Sequence, residues 1–362
     1  MCSNLFSHAQ YRRQMIDTSI ALLPILVVST YFYGLRVLVM AGIGVATAVA
    51  ADYVCLLFQK ETRWKKYDYS AFIAGLTYVL MLPASAPYWL VITGVLFAVV
   101  VVRHPFGGHY NTLFNPAMTA FAFVTICWTE LVTHYPSPFQ QLPLTPTVDV
   151  PLNSSPAYRL MLGGANSMDL LDALLGNFNG PMGTTCIAVL LCCGVYLAVR
   201  RTILWQIPIA SLSVVGFAAW FFPRVNASHE ISLLMELTSG VLIFAVIFVA
   251  SMDNGEIETP AGKWICGLIL GGLIVLFRQL SKIELVAPFA IILVNTIDNR
   301  CDAYASHIGR GAVFCLKGIY KGVRLALKSL WDLIVWCFQK VTGACERFVS
   351  KPDKDEKGGR KP

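Results

Sequence analysis

Apolar residues run along this chain in long blocks instead of alternating with polar ones. Ten blocks stand out, at roughly 16–33, 36–58, 70–84, 87–102, 113–131, 184–199, 202–222, 231–251, 264–280 and 284–300. A helix crossing the hydrocarbon core needs about 20 apolar residues, somewhat fewer when it is short or lies inside a bundle. Each block therefore predicts a membrane-spanning helix. Between Tyr69 and Val102 no Asp, Glu, Lys or Arg occurs, and the stretch Pro83 to Pro87 predicts a tight turn between two spans. The first block follows Arg12 and Arg13 and is not trailed by a small-residue cleavage site, so it reads as a first span and not as a cleaved signal.

The blocks divide five and five around one long connection. An odd number of crossings flips the second half relative to the first, which is the arrangement of inverted-repeat membrane proteins. The expected organisation is a first five-helix half at 1–131, an exterior loop at 132–183 and a second five-helix half at 184–301. An amphipathic helical tail at 302–350 and a disordered basic tail at 351–362 follow. In the tail, Lys317, Lys321, Arg324 and Lys328 recur at helical spacing beside Phe314, Leu316, Ile319, Leu325 and Leu327. That pattern suits a helix lying on the inner leaflet with its basic face on anionic lipid headgroups.

Composition supports the same class. Hydrophobic residues make up 56% of the chain and charged residues 14%, against roughly 25% charged in soluble proteins. Mean hydropathy is +0.62. A soluble globule, a disordered chain, a coiled coil and a disulfide-stapled domain are excluded together. The net charge of +7 records topology, not nucleic-acid binding, because Lys and Arg collect on the cytoplasmic side. With both termini cytoplasmic, most of the 28 basic residues fall inside. Even with the tail set aside, the inside loops hold twice as many as the outside ones. The central loop is rich in proline and has Arg159 as its only basic residue, which places it outside. An ordered polar loop of this length in so apolar a chain points to function.

Candidate chemistry is sparse. The 11 cysteines lie mostly in or beside the apolar blocks and form no Cys-x-x-Cys pair, so they read as small buried hydrophobes and not as cluster or metal ligands. No His-x-x-x-His pair occurs, no metal site is expected, and no catalytic residue can be assigned. Asp17, Asp52, Glu130, Glu236, Asp253 and Asp298 sit near span ends, where snorkelling to the interface is the ordinary expectation. Arg278 and Asp298 lie deeper. Together with Asp253 they are the candidate ion path.

Two local sequences rise above this background. The first is Phe106-Gly107-Gly108-His109 with Phe114-Asn115-Pro116-Ala117 at the inner start of the fifth span. Paired glycines permit close backbone approach, and Asn-Pro interrupts a helix start, as in broken segments built around a buried ligand or ion; a simple re-entrant turn has the same signature. The second is Asp149-Val-Pro-Leu-Asn-Ser154-Ser155-Pro156 in the outer loop, which taken alone is an Asx/Ser-rich turn.

The order of these motifs, with Asp17 through Pro24, Tyr31 through Arg36, Trp205 through Pro208, Ser239 through Asp253 and Ala290 through Asp298, resembles the D subunits of Rnf-type ion-translocating electron transport complexes. More distantly it is similar to the B subunit of the sodium-pumping NADH:quinone reductase. The resemblance implies flavin mononucleotide joined by a phosphoester to a hydroxyl in an outward-facing loop. Asp149 then takes the acidic position of the attachment motif and Ser155 the attachment position, with Pro156 following. Ser155 stands where threonine is usual and Ser154 where alanine is usual. The implied site also includes Gly107, Gly108 and Asn115, and the implied cofactors include a second, non-covalent flavin, riboflavin or FMN. The implied partners are the iron–sulfur and flavin subunits of the complex, a flavin transferase that installs the FMN, and membrane lipid. Electrons would run from reduced ferredoxin toward NAD, coupled to export of sodium ions or protons, in the inner membrane of a bacterial cell. The competing expectation is a non-redox channel or secondary transporter with an inverted-repeat fold.

Overall fold

The computed structural model describes residues 8–58, 69–105, 114–162, 169–224, 228–252, 257–281, 284–297 and 301–302. All described residues lie in one compact unit, within Met1–Ala305. Gly107, Gly108, Asp253, Asp298 and the basic tail lie outside the described residues.

The described residues are helical, with two isolated antiparallel bridges, Tyr135 to Asn153 and Ile203 to Met252. In chain order the helices are α1 (His8–Tyr33), α2 (Arg36–Phe58), α3 (Ser70–Met81), α4 (Tyr88–Leu96) and α5 (Pro116–Cys127), then the short α6 (Thr129–Thr133), α7 (Pro156–Met161) and α8 (Leu170–Leu175). The second series is α9 (Ile187–Val199), α10 (Gln206–Phe221), α11 (His229–Thr238), α12 (Leu242–Ala245), α13 (Pro260–Ser281) and α14 (Ala287–Asn295). Both α4 and α12 run on as π-helical turns, at Phe97–Arg103 and Val246–Ala250. Each of the ten apolar blocks carries a helix.

Among the described residues, three helices are long and apolar enough to cross a membrane: Tyr11–Tyr33, Arg36–Phe58 and Pro260–Ser281. A fourth span results if α11 and the α12 segment, bent by 54°, count as one. The other apolar helices are shorter, in part because proline and capping residues cut them. Pro83 and Pro87 bracket the turn between α3 and α4, and Asn115 starts α5 with Pro116 in the first helical position, where a missing N–H costs nothing.

In a core this apolar, hydroxyls turn back on their own helices. Thr18, Ser29, Thr47, Thr125 and Ser251 each donate to the carbonyl four residues earlier, at 2.5 to 2.9 Å. Large apolar side chains also face outward, among them Val27, Tyr31, Val199, Phe217 and Leu280. That exposure suits a lipid boundary and would be unusual for a soluble monomer.

Helix α2 packs on α3 and α4, while α10 packs on α11 and α13; α1 packs on α9, and α5 on α14. The α10 and α13 contact is a close approach through Gly267 and Gly271, a small-xxx-small pair. A Cβ at Gly271 would lie 2.7 Å from the Ser211 carbonyl oxygen, and one at Gly267 2.8 Å from that of Ile207. Neighbouring Gly272 has nothing within 4 Å of the same position. Gly271→Leu is therefore expected to wedge the pair apart at a cost of about 1–3 kcal/mol. Gly272→Leu should leave the thermal midpoint in detergent where it is, and equal midpoints for the two variants would refute this packing.

Candidate functional site

The loop between α5 and α9 is fastened at three points. Tyr135 and Asn153 exchange backbone hydrogen bonds at 2.8 Å in each direction, closing the loop into a narrow neck. Arg36, at the first turn of α2 and fully buried, fans its guanidinium over five carbonyls. Nε donates to Ala84 at 2.8 Å and Nη2 to Ala86 at 2.9 Å, on the α3 to α4 turn. Nη1 donates to Pro143 at 3.0 Å and to Thr145, and Nη2 to Pro146 at 3.4 Å, in the loop itself. Tyr88 stacks beneath the guanidinium, 4.7 Å from ring centroid to Cζ, and donates its hydroxyl to the Leu144 carbonyl.

The third fastening is Ser155. It precedes Pro156 at the start of α7, and its Oγ accepts the Tyr158 N–H at 3.2 Å, an N-cap with proline in the first helical position. The same hydroxyl donates to Oε2 of Glu284 at 2.5 Å. Ser155 is 5% exposed and Glu284 7%. Among the described residues, Oε1 of Glu284 is buried with no hydrogen-bond partner, as are Arg224 Nη2 and Arg278 Nε. Both residues line a cavity of about 190 Å³ whose other walls are Thr129, Thr133, His134, Tyr135, Ser154, Tyr158 and Leu285. His134 donates its Nδ1 proton to the Glu130 carbonyl at 2.9 Å.

Behind Glu284 lies a buried ion network. Glu236 on α11 accepts from Arg224 Nε at 2.9 Å and from Arg278 Nη1 at 2.8 Å. Arg278 also donates to the carbonyls of Glu236 and Ser239. Glu284 lies close enough to feel the charges of Arg278, Arg224 and Glu236.

Several sequence expectations are redrawn by this geometry. Asp17, Asp52 and Glu236 do not snorkel; all three are buried and ion-paired. Asp17 takes Arg200 at 2.9 Å and also Thr202, while Asp52 takes Arg103 at 3.1 Å and His104 at 2.9 Å. Ser154 and Ser155 share the cavity, whereas Asp149 is exposed and not among its walls. The Asn115 side chain accepts from the Ala117 and Met118 amides at 3.1 and 3.3 Å, so its oxygen is committed to capping α5. Arg278 is brought to the same region as Ser155 through Glu284. Sequence reasoning misses Glu284 and names Arg36 only as the end of the Tyr31 to Arg36 motif. The available signal is one acid, bounded by Ile283 and Leu285, at the head of the last apolar block.

The chain is similar to the D subunits of ion-translocating oxidoreductase complexes. That from Actinobacillus succinogenes is 26% identical over 326 residues, covering 81% of this chain and 91% of the relative. That from Haemophilus ducreyi is 28% identical over 325 residues, covering 80% and 92%. That from Stutzerimonas stutzeri is 28% identical over 314 residues, covering 79% and 88%. The model of the NQR2, RnfD, RnfE family matches residues 3–308, which takes in every helix described above, and the chain belongs to that family.

Proposed function

We propose that this chain is the membrane subunit of an ion-translocating ferredoxin:NAD oxidoreductase complex, carrying FMN on Ser155 through a phosphoester and relaying electrons in step with ion export. The observation that carries the reading is the hydroxyl of Ser155, six residues beyond Asp149 and directly before Pro156, at the wall of a cavity with an unpartnered buried carboxylate oxygen. The cavity is smaller than the roughly 300 Å³ at which whole-ligand pockets begin. It fits the phosphoester and its immediate neighbourhood but does not enclose a complete flavin.

A bound flavin would supply exchange of one or two electrons. The chain's own residues would hold it in place. Ser155 provides the tether, the Tyr135 to Asn153 neck fixes the tether's position, Arg36 holds the rest of the loop to the α3 to α4 turn, and Leu285 with Tyr135 keeps water from one wall. We read the architecture as ten spans in two inverted five-helix halves with the flavin loop exterior. The matching packing of α2 on α3 and α4 and of α10 on α11 and α13 supports this, as do the contacts of α1 with α9 and α5 with α14.

The test is co-expression with a flavin transferase, followed by in-gel fluorescence after denaturation and mass analysis of the peptide containing Ser155. The expected result is a fluorescent band with an FMN increment on that peptide, both abolished by Ser155→Ala. A colourless protein without the increment would sink covalent attachment and favour a channel or secondary transporter.

A further inference from the structure

The three orphaned atoms around Ser155 complement one another. Glu284 Oε1 is an acceptor, while Arg224 Nη2 and Arg278 Nε are donors, and all three are buried. Buried polar groups without partners are rare in native structures, and each calls for an explanation. Here they belong to one network, since Glu284 feels the charges of both guanidiniums. The Glu284 backbone is close at hand as well. A Cβ built on Gly240 would meet the Glu284 carbonyl oxygen at 3.1 Å, and the preceding Ser239 accepts from Arg278 Nη2 at 3.2 Å.

The Glu284 carboxylate therefore has two sets of donors to choose from. One is the Ser155 hydroxyl on the loop, held at 2.5 Å; the other is the pair of spare N–H groups on Arg224 and Arg278. A glutamate side chain moves between rotamers while its backbone stays fixed. Taking either set leaves the other unmet, so two arrangements compete where a satisfied network would have one. We infer that Glu284 is a two-position latch on α7: in the position described it holds Ser155 in the cavity, and in the other it pairs with Arg224 and Arg278 and frees the Ser155 hydroxyl to react. In the first position the hydroxyl is buried, its oxygen taking the Tyr158 N–H and its proton given to Glu284, which closes it to a modifying enzyme. In the second it keeps only the cap. An ester on Ser155 has no proton to donate and so belongs with the second position. That last link rests on the reading of Ser155 as the attachment point, whereas the latch rests on the three orphaned atoms.

The test is a set of thermal midpoints on the full detergent-solubilised chain. Arg224→Lys keeps a positive charge for Glu236 and removes the spare Nη2 donor. In the parent chain that donor is idle; in Ser155→Ala the carboxylate has turned to it. Arg224→Lys should therefore lower the midpoint by about 2–4 °C more in Ser155→Ala than in the parent. In Glu284→Ala the losses from the two changes should simply add, and Glu284→Gln, which brings no charge to the guanidiniums, serves if that variant does not fold. Deuterium uptake at the Tyr158 amide, which the Ser155 oxygen caps, should rise severalfold in Glu284→Ala as α7 comes free. Equal losses from Arg224→Lys in the parent and in Ser155→Ala would overturn the latch, whatever a flavin transferase does to Ser155. Unequal losses in a chain that gains no FMN increment on co-expression would uphold the latch and overturn the attachment point.

Discussion

Glu236→Ala is expected to be among the most destabilising single changes in this chain, costing about 3–5 kcal/mol. The carboxylate is 5% exposed and is the shared partner of Arg224 and Arg278. Its removal leaves two guanidiniums facing each other in a region with little water, and Arg224 also donates to the Arg278 carbonyl at 2.9 Å, so the two cannot easily part. The measurement is the thermal midpoint of the detergent-solubilised chain together with its yield in the membrane. Glu236→Gln, which keeps one acceptor oxygen, should fall between. A double change, Glu236→Leu with Arg278→Met, should recover part of the loss, since apolar residues of similar volume replace buried ion pairs at low cost. A midpoint unchanged in Glu236→Ala would show that the network does not hold α11 to α13.

Arg36→Met is the second change with a large expected effect, about 3 kcal/mol and a released loop. Burying a carbonyl without its donor costs about 1–3 kcal/mol. The carbonyls of Ala84 and Ala86 sit at fully buried residues, while those of Pro143, Thr145 and Pro146 can turn to water once freed. The loop should then be cut by added protease between Gln140 and Val150 at rates well above those of the parent chain. Arg36→Lys should restore only part of the protection, because an ammonium offers three donors from one point where the guanidinium spreads five. Equal cleavage of parent and Arg36→Met would show that the neck at Tyr135 and Asn153 alone fastens the loop.

The helices are legible in the chain because long apolar blocks leave few alternatives, and proline and asparagine mark several of their ends. The Ser155 motif is legible as a local sequence, but its surroundings are not. Glu284 lies 129 residues further on, and nothing in periodicity or spacing predicts that a loop serine and an acid between two late helices will meet. The acids near block ends read as snorkelling because a sequence gives depth only along its own helix. Whether Asp17, Asp52 or Glu236 finds a guanidinium depends on which helices pack together, and Asp17 meets its partner 183 residues away. Arg36 misleads for a related reason: backbone carbonyls carry no sequence identity, so a site made of them leaves no trace in the residues that form it.

That last property has a consequence for the environment in which the loop works. A fastening made of a guanidinium and carbonyl oxygens contains no group that gains or loses a proton under ordinary conditions. The Arg36 fastening should therefore hold from acid to neutral media, so that acidity reaches this loop through the Ser155 to Glu284 contact and the other side chains that line the cavity.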